Sequence, residues 1–353
     1  MKRALLVLVL LILLYFLFWP VTVDTVAWTP PEPPVMDGDY APNTYLSEVE
    51  RLAVTDGRGP EDVAVDADGR IYGGLEDGRI IRMAPDGSNQ ETVADTGGRP
   101  LGLHFDREGQ LIVADAGKGL LSVSPDGEVT VLATEAGDVP FGFTDDVDIG
   151  PDGFIYFSDA SSKFEQARYK HDIIESRPHG RLLAYDPATG ETRVLRDDLF
   201  FANGVAVSPD GAFVLVNETT RYRVLRYWLT GPRQGTSEVF IDNLPFFPDG
   251  ISSNGQGVFW LALVSPRNAL VDKLGPYPFV RKMLVRLPSF LQPAPQRYAF
   301  VLGLDAAGQV IHNLQNPTGN PFAIITSVQQ HGDRLYLGSL EEPAIGRIPV
   351  PER

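Results

Sequence analysis

Short apolar runs that alternate with tight polar turns recur along most of the chain. Each unit has an apolar run, a turn of the D-G type and a second apolar run, the pattern of two antiparallel strands joined by a hairpin. The unit occurs at residues 63–72, 101–113, 147–157, 205–216, 251–261 and 328–337. Glycine opens a third strand after most copies, as in 78–87, 119–127 and 180–190, and a short fourth strand follows.

Six repeats of four antiparallel strands predict an all-β fold, the six-bladed β-propeller. The central strands are nearly continuous apolar runs, as expected when both faces of a blade pack against neighbouring blades. The stretch from Val49 to Val54 precedes the first full copy. We expect it to complete the last blade and so to remove free sheet edges. A two-sheet sandwich is the competing architecture, but it does not require a unit repeated in this way.

The first 23 residues are almost wholly apolar. Lys2 and Arg3 precede an uncharged run from Ala4 to Trp19 that continues to Val23, about 20 residues and roughly one bilayer's hydrocarbon thickness. Aromatic residues end the run where a cleaved signal peptide would have small ones, which favours an uncleaved transmembrane helix over a signal peptide. The positive residues before the run predict a cytoplasmic N-terminus and a propeller on the extracytoplasmic side of the membrane.

The chain therefore divides into a signal anchor (1–23), a semi-rigid Pro-rich stalk (24–44) and the propeller (45–353). Residues 265–298 interrupt the repeat with a basic insertion of net charge 6 - 1 = +5. Within it, residues 278–287 have apolar positions at helical spacing and predict a short basic amphipathic helix. This helix could contact the membrane, roof the channel mouth or pack on the blades. A second insertion, 161–179, is expected to help shape the pocket.

The charge balance and composition exclude several function classes. The chain has 30 Lys and Arg against 46 Asp and Glu, a net charge of -16, which argues against a nucleic-acid partner. Cations or neutral small molecules fit better. The absence of cysteine excludes disulfides, thiolate metal sites and cysteine nucleophiles. No G-x-S-x-G elbow or P-loop occurs in the sequence.

Oxygen-bearing side chains stand just before the apolar run in four of the repeats: Glu61, Asp145 with Asp146, Asn203 and Asp249. The innermost strand of each propeller blade runs along the central channel, so these positions gather around one channel mouth. Each residue alone could cap a turn, but the shared register favours a common site. Oxygen ligands from separate blades suit a hard cation, above all Ca2+.

Other polar residues near the repeats receive simpler interpretations. We assign five acidic residues beside the hairpins to turns: Asp62, Asp66, Asp68, Asp152 and Asp210. Among the histidines, His104 lies at the start of the second inner strand and could face the channel as a base. The alternative is a neutral histidine with its hydrogen bonds satisfied in the channel wall.

At these residues the sequence resembles the calcium-dependent six-bladed propellers that include gluconolactonases and paraoxonases, and more closely the strictosidine synthase-like branch. The resemblance covers nearly the whole chain and includes G-R-P-L-G-L (98–103), A-D-A-G-K-G-L (114–120), Y-F-S-D-A-S-S-K-F (156–164), G-R-L-L-A-Y-D (180–186) and L-Y-L-G-S (335–339). It implies a metal held by a Glu, two Asn and an Asp, which match Glu61, Asp145, Asn203 and Asp249.

Two positions depart from the pattern of the resembled proteins. Asp145 stands where the calcium-dependent enzymes have Asn, so three carboxylates would surround the ion. The extra charge strengthens Ca2+ binding but weakens the pull of the ion on a substrate oxygen. Strictosidine synthase has a catalytic glutamate just before its final strand, where this chain has Thr326. Amine-aldehyde condensation by that route is therefore not expected.

These observations and the resemblance together predict a Ca2+-dependent hydrolase of lactones, aryl esters or related phosphoesters, with a small-molecule substrate at the channel mouth. The ion would polarise the carbonyl or phosphoryl oxygen, and Asp249 would act as general base on water or as nucleophile. The alternative is a membrane-anchored binding or scaffold propeller that keeps a structural calcium without turnover.

Overall fold

Six four-stranded antiparallel sheets make up the body of the protein in a computed structural model that describes residues 1–352. A strand ahead of the first blade is β1 (Glu50–Ala53). Blade 1 contains β2 (Val63–Val65), β3 (Ile71–Gly74), β4 (Arg79–Met83) and β5 (Glu91–Asp95). Blade 2 contains β6 (Pro100–Phe105), β7 (Leu111–Asp115), β8 (Gly119–Val123) and β9 (Val129–Ala133). A small hairpin follows, formed by β10 (Glu135–Ala136) and β11 (Val139–Pro140).

The remaining blades repeat this order. Blade 3 contains β12 (Thr144–Ile149), β13 (Ile155–Asp159), β14 (Gly180–Asp186) and β15 (Glu191–Leu199). Blade 4 contains β16 (Ala202–Val207), β17 (Phe213–Glu218), β18 (Arg223–Trp228) and β19 (Ser237–Ile241). Blade 5 contains β20 (Phe246–Ser253), β21 (Phe259–Pro266), β22 (Ala299–Leu304) and β23 (Val310–Asn316). Blade 6 contains β24 (Ile325–His331), β25 (Arg334–Ser339) and β26 (Ala344–Pro349).

The ring closes by pairing the two ends of the propeller. Strand β1 pairs antiparallel with β26, with Leu52 opposite Ile345, and so supplies the fourth strand of blade 6. The first strands of neighbouring blades contact one another around the ring, and β2 contacts both β6 and β24. The six-bladed propeller and the closing role of residues 49–54 are therefore confirmed.

The hydrophobic core is divided among the blade interfaces. Six apolar clusters each combine side chains of two adjacent blades. Neighbouring residues of one strand serve opposite interfaces, because strand side chains alternate between faces. Ile71 packs in the cluster between blades 6 and 1, whereas Tyr72 packs in the cluster between blades 1 and 2. This burial on both faces explains why the central strands are almost continuously apolar.

Helices lie outside the ring. The α-helices are α1 (Lys2–Phe18), α2 (Tyr169–Glu175), α3 (Ala269–Leu274) and α4 (Pro278–Val285). Short 3-10 helices cover Gly38–Tyr40, Tyr45–Glu48, Gln166–Arg168, Thr219–Arg221 and Ser289–Leu291. Over residues 1–352, none of the helices combines the length and the apolar character that crossing a bilayer requires. Every residue of α1 is nevertheless exposed or nearly so, and none is buried.

The segment from residue 20 to residue 44 lies against the propeller. The Val26 N–H donates to the Glu175 carbonyl oxygen at 3.2 Å, and the Trp28 N–H donates to the Gly275 carbonyl oxygen at 3.1 Å. The Trp28 ring also packs against the Tyr222 ring. The residues assigned to the stalk are thus in contact with α2 and with the end of α3.

Candidate functional site

Three of the predicted site residues stand at β-bulges in first strands. The pairing register shifts between Thr144 and Val147 in β12, between residues 202 and 205 in β16, and between residues 248 and 251 in β20. Asp145, Asn203 and Asp249 lie within these three shifts. A bulge leaves a residue out of the ladder and redirects its side chain, which here points into the central channel mouth.

Glu61 reaches the same place from the loop that precedes β2. Its N–H donates to the Gly74 carbonyl oxygen at 3.4 Å, and its own carbonyl oxygen accepts a 2.6 Å hydrogen bond from the Thr326 hydroxyl. These bonds tie the Glu61 backbone to blades 1 and 6. The four residues predicted to form one site are therefore brought together from four blades.

These four residues line a cavity of about 510 Å³, which we call the central cavity. Its walls are largely apolar and include Leu101, Phe143, Tyr169, Ile173, Ile174, Phe201, Phe247, Val264, Val271, Leu284, Ile324 and Leu340. Blade 2 contributes Leu101 where blades 3, 4 and 5 contribute an oxygen-bearing side chain. The arrangement is a polar floor beneath apolar walls, which is the usual form of a small-molecule site.

The floor concentrates negative charge away from water. Burial raises the pKa of the Glu61 carboxyl well above its usual range, and the carboxylates of Asp249 and Asp145 raise it further. Burial and then Asp249 likewise raise the pKa of Asp145. The pKa of Asp249 is raised to about 7 by burial, although a hydrogen bond from Asn203 opposes the shift. Three buried carboxyl groups thus destabilise one another's charged forms.

The floor has the donor chemistry of a hard-cation site. Asp145 Oδ2 is buried and has no hydrogen-bond partner, so one carboxylate oxygen is left for another ligand. A divalent cation would offset the mutual repulsion of the three carboxylates, and carboxylate and amide oxygens are the ligands that Ca2+ prefers. Over residues 1–352, however, no three His, Asp or Glu side chains are clustered closely enough to hold an ion by themselves. The three carboxylates and the side-chain amide oxygen of Asn203 are nevertheless the types of oxygen ligand that Ca2+ binds.

The structure distinguishes Asp145 from Asp146. Asp145 lines the central cavity. Asp146 instead accepts hydrogen bonds from the Val147 N–H at 2.8 Å and the Val205 N–H at 2.7 Å, and so joins blade 3 to blade 4.

Asp62 has the same bridging role, and its assignment to a turn is wrong. It accepts hydrogen bonds from the Val63 N–H at 2.7 Å and from the Leu103 N–H at 2.9 Å, which joins blade 1 to blade 2. Its side chain is buried, because the first strands of blades 1 and 2 approach each other there. The other four aspartates assigned to turns, 66, 68, 152 and 210, do lie in the hairpins.

Arg99 is a functional candidate that the sequence interpretation missed. It is 7% exposed, and its guanidinium donates to the Gly59 carbonyl oxygen at 2.9 Å and the Gly74 carbonyl oxygen at 3.3 Å. Gly74 also accepts the Glu61 N–H, so Arg99 lies beside the Glu61 loop. Its positive charge lowers the pKa of both Glu61 and Asp145. The signal was available, since Arg99 directly precedes the first strand of blade 2 in G-R-P-L-G-L.

Helices from the two insertions cover the central cavity. Tyr169 and Ile173 of α2 line it on one side, and Leu284 of α4 lines it on the other. Arg281 of α4 is only 3% exposed and donates to carbonyl oxygens of Val26 and Ile173, at 3.2 and 2.8 Å. The segment 278–287 therefore forms part of the cavity roof.

Two other predicted positions lie away from the cavity floor. His104 Nδ1 is 3.3 Å from Asp148 Oδ1, and His104 does not occur among the described residues that line the central cavity. Thr326 is 0% exposed and its hydroxyl donates to the Glu61 carbonyl oxygen, so it has a structural role in holding the Glu61 loop.

Two family models and several curated relatives match the sequence of the chain. The family model described as strictosidine synthase matches residues 145–232, and the model described as strictosidine synthase-like, N-terminal, matches residues 38–83. Adipocyte plasma membrane-associated protein of Salmo salar is 35% identical over 98% of this chain and 88% of its own length. Protein STRICTOSIDINE SYNTHASE-LIKE 4 of Arabidopsis thaliana is 39% identical over 87% of this chain and 83% of its own length.

Solved structures share the propeller architecture at low sequence identity. A gluconolactonase of Xanthomonas campestris has a TM-score of 0.63 and 17% identity, and the match covers 94% of this chain and 99% of that one. Regucalcin of Agrobacterium tumefaciens, described as a calcium-binding protein, has a TM-score of 0.60 and 17% identity, with coverage of 84% and 92%. At this identity the likeness concerns the fold.

Proposed function

Since the chain belongs to the strictosidine synthase-like family, with adipocyte plasma membrane-associated proteins among its relatives, we propose that it is a Ca2+-dependent hydrolase acting at the central cavity. The substrates would be lactones, aryl esters or related phosphoesters. The observation that carries the proposal is the set of three buried carboxyl groups and one amide on the floor of an apolar-walled cavity. The names of the solved gluconolactonase and of calcium-binding regucalcin support this class of ligand and substrate.

Each residue of the floor has a distinct task in this proposal. Glu61, Asp145, Asn203 and Asp249 would hold the ion. A bound Ca2+ supplies a Lewis acid for the carbonyl or phosphoryl oxygen of the substrate. Asp249 takes a proton from an attacking water or attacks the substrate itself, and the Asn203 hydrogen bond orients its carboxylate for either task. The apolar walls exclude bulk water and so strengthen these electrostatic interactions.

A chelator-controlled activity screen tests the proposal. The purified full chain is assayed on lactones, aryl acetates and organophosphates with excess Ca2+ and again with a chelator. We expect turnover that the chelator removes and that Asp249→Asn lowers by roughly 100-fold or more. Asp210→Asn is the matched control, because Asp210 lies in an exposed hairpin turn and accepts the Ala212 N–H. Undiminished turnover by Asp249→Asn at saturating Ca2+ would exclude the role given to Asp249.

A binding or scaffold propeller with a structural calcium is the second candidate. Its support is that the names of the most similar relatives refer to membrane association or to strictosidine synthase rather than to hydrolysis. Calcium analysis of the purified protein together with the same screen separates the two candidates. Bound calcium without any chelator-sensitive turnover favours the scaffold. Strictosidine synthase chemistry is not proposed, because Thr326 is buried and hydrogen-bonded to the backbone.

Membrane association is proposed on two grounds. The name of the Salmo salar relative refers to a plasma membrane, and α1 presents its apolar side chains outward. We propose that the apolar segment 1–23, which continues beyond the end of α1, anchors the protein with its N-terminus cytoplasmic and the propeller on the extracytoplasmic side. The roof adds exposed apolar side chains, since Phe279 is 52% and Val280 is 37% exposed. Protease protection of the propeller in sealed vesicles tests the orientation.

A further inference from the structure

A second cavity lies between the end of α1 and the roof of the propeller. Its volume is about 310 Å³, and we call it the interfacial cavity. Its lining residues are Tyr15, Trp19, Pro20, Val21, Thr22, Arg168, His171, Val285 and Arg286. It shares no lining residue with the central cavity. Among these residues there are two arginines and one histidine but no Asp or Glu, in a chain whose net charge is -16.

The arginines of the interfacial cavity differ from two nearby basic residues, Arg177 and Lys282. Arg177 pairs with Asp24 at 2.7 Å, and Lys282 lies 3.8 Å from the same carboxylate. Arg168 and Arg286, by contrast, make no ion pair within the described chain. Their two positive charges are therefore available to an anion.

Arg286 is held in place by the backbone. Its Nε donates to the Trp19 carbonyl oxygen at 2.9 Å and its Nη1 donates to the Phe16 carbonyl oxygen at 2.8 Å. The Tyr15 hydroxyl in turn donates to the Arg286 carbonyl oxygen at 3.0 Å. Arg286 is only 8% exposed. Its Nη2 takes part in none of these hydrogen bonds and can donate to another acceptor. The bonds also fix the end of α1 relative to α4.

His171 adds an unsatisfied polar atom to the same cavity. Its Nδ1 is buried and has no hydrogen-bond partner. Its ring packs edge-on against Phe164, which limits its rotation. An acceptor in the cavity would satisfy this nitrogen when it carries a proton.

We infer that the interfacial cavity binds a phosphate group, with Arg168, His171 and Arg286 as its donors. Arginine side chains match the geometry of phosphate oxygens and bind them with charge-assisted hydrogen bonds. A phospholipid headgroup is the source that the location favours, because Tyr15 and Trp19 are the aromatic types found at membrane interfaces, at the level of the lipid headgroups. The choice of a lipid as the source of the phosphate rests on the proposed membrane association. The proposal that the cavity binds phosphate does not depend on it.

Lipid binding to the full chain in neutral detergent micelles tests this site. Phosphatidic acid is titrated, and bound lipid is counted by native mass spectrometry. Diacylglycerol with the same acyl chains is the uncharged comparison, and it lacks only the phosphate. We expect phosphatidic acid to bind at least about tenfold more tightly than diacylglycerol, and Arg168→Gln to remove roughly that advantage, as for one lost charge-assisted hydrogen bond.

Two controls keep the test specific. Arg168→Lys retains the charge and should recover part of the affinity, whereas Arg177→Gln removes a paired arginine outside the cavity and should change nothing. Competition by glycerol 3-phosphate or inorganic phosphate would support the phosphate site but identify a soluble source. Equal binding of diacylglycerol and phosphatidic acid, or equal losses in Arg168→Gln and Arg177→Gln, would overturn the inference. Neither outcome bears on hydrolysis at the central cavity, which the chelator-controlled screen measures separately.

Discussion

Asp145 and Asp146 are neighbours in sequence with different surroundings. Asp145 faces the central cavity with an unpaired oxygen, whereas Asp146 accepts two backbone N–H groups that join blades 3 and 4. Removing the Asp145 charge relieves repulsion from Glu61 and Asp249. We therefore expect Asp145→Asn to raise the melting temperature in chelator by roughly 2 °C and to raise the calcium Kd roughly tenfold. Calorimetric melting and calcium titration measure these two effects.

The same substitution at the next position is the control. Asp146→Asn leaves only one acceptor oxygen for two N–H donors, so we expect it to lower the melting temperature. If Asp145→Asn and Asp146→Asn shifted the melting temperature equally, the distinction between Asp145 as a cavity residue and Asp146 as a residue that joins two blades would be wrong.

Asp172 on α2 predicts a pH dependence of stability. Burial raises the pKa of Asp172 to about 7, although the Ser161 hydroxyl donates to its carboxylate at 2.6 Å. Because the folded-state pKa lies above the unfolded value of about 4, the folded protein holds this proton more tightly. Its contribution to stability is thus present below pH 4 and is lost as the pH rises through 7.

Asp172→Asn tests this dependence, because the amide stays neutral. We expect the wild type to lose more unfolding free energy than the variant between pH 5 and pH 8, by about 1–3 kcal/mol. Urea denaturation at the two pH values gives the difference. If the wild type and Asp172→Asn lost the same unfolding free energy between pH 5 and pH 8, Asp172 would not titrate in this range.

At the scale of the strand, the site depends on close approach of neighbouring first strands. A methyl group on Gly204, the residue after Asn203, would lie 2.5 Å from the Asp249 carbonyl oxygen and 2.5 Å from the Ile251 nitrogen. We expect Gly204→Ala to lower the free energy of unfolding by about 1–3 kcal/mol, since backbone must move to admit the methyl group. Gly117→Ala is the control, because its nearest contacts are at 3.7 Å. Equal stability of the two variants in urea denaturation would argue against tight strand approach at the site.

At the scale of the whole molecule, stability depends on closure of the ring by β1. Leu52 is 4% exposed and packs in the cluster between blades 6 and 1, whereas Ala53 on the same strand is exposed. We expect Leu52→Asp to lower the free energy of unfolding by about 3–5 kcal/mol, because it removes a buried apolar side chain and introduces a charge there. Ala53→Asp should cost well under 1 kcal/mol. Similar melting temperatures for the two variants would mean that the pairing of β1 with β26 contributes little.

The periodicity of apolar residues was sufficient to predict the ring, the blade number and the closing strand. Each blade follows the same local pattern, and a local pattern can be read without knowledge of its neighbours. The same register identified the positions of Glu61, Asn203 and Asp249 at the cavity floor. The assignment of these residues to a metal site stays a prediction.

Only the tertiary structure decided which of two adjacent aspartates faces the cavity and that Asp62 joins two blades. The direction of a side chain at a bulge depends on the register of the paired strand, which lies elsewhere in the chain. The same holds for Arg99, whose role comes from carbonyl groups 25 and 40 residues away. The sequence by itself therefore determined the repeat and the chemistry available at its ends. The contacts between blades determined where each of those groups points.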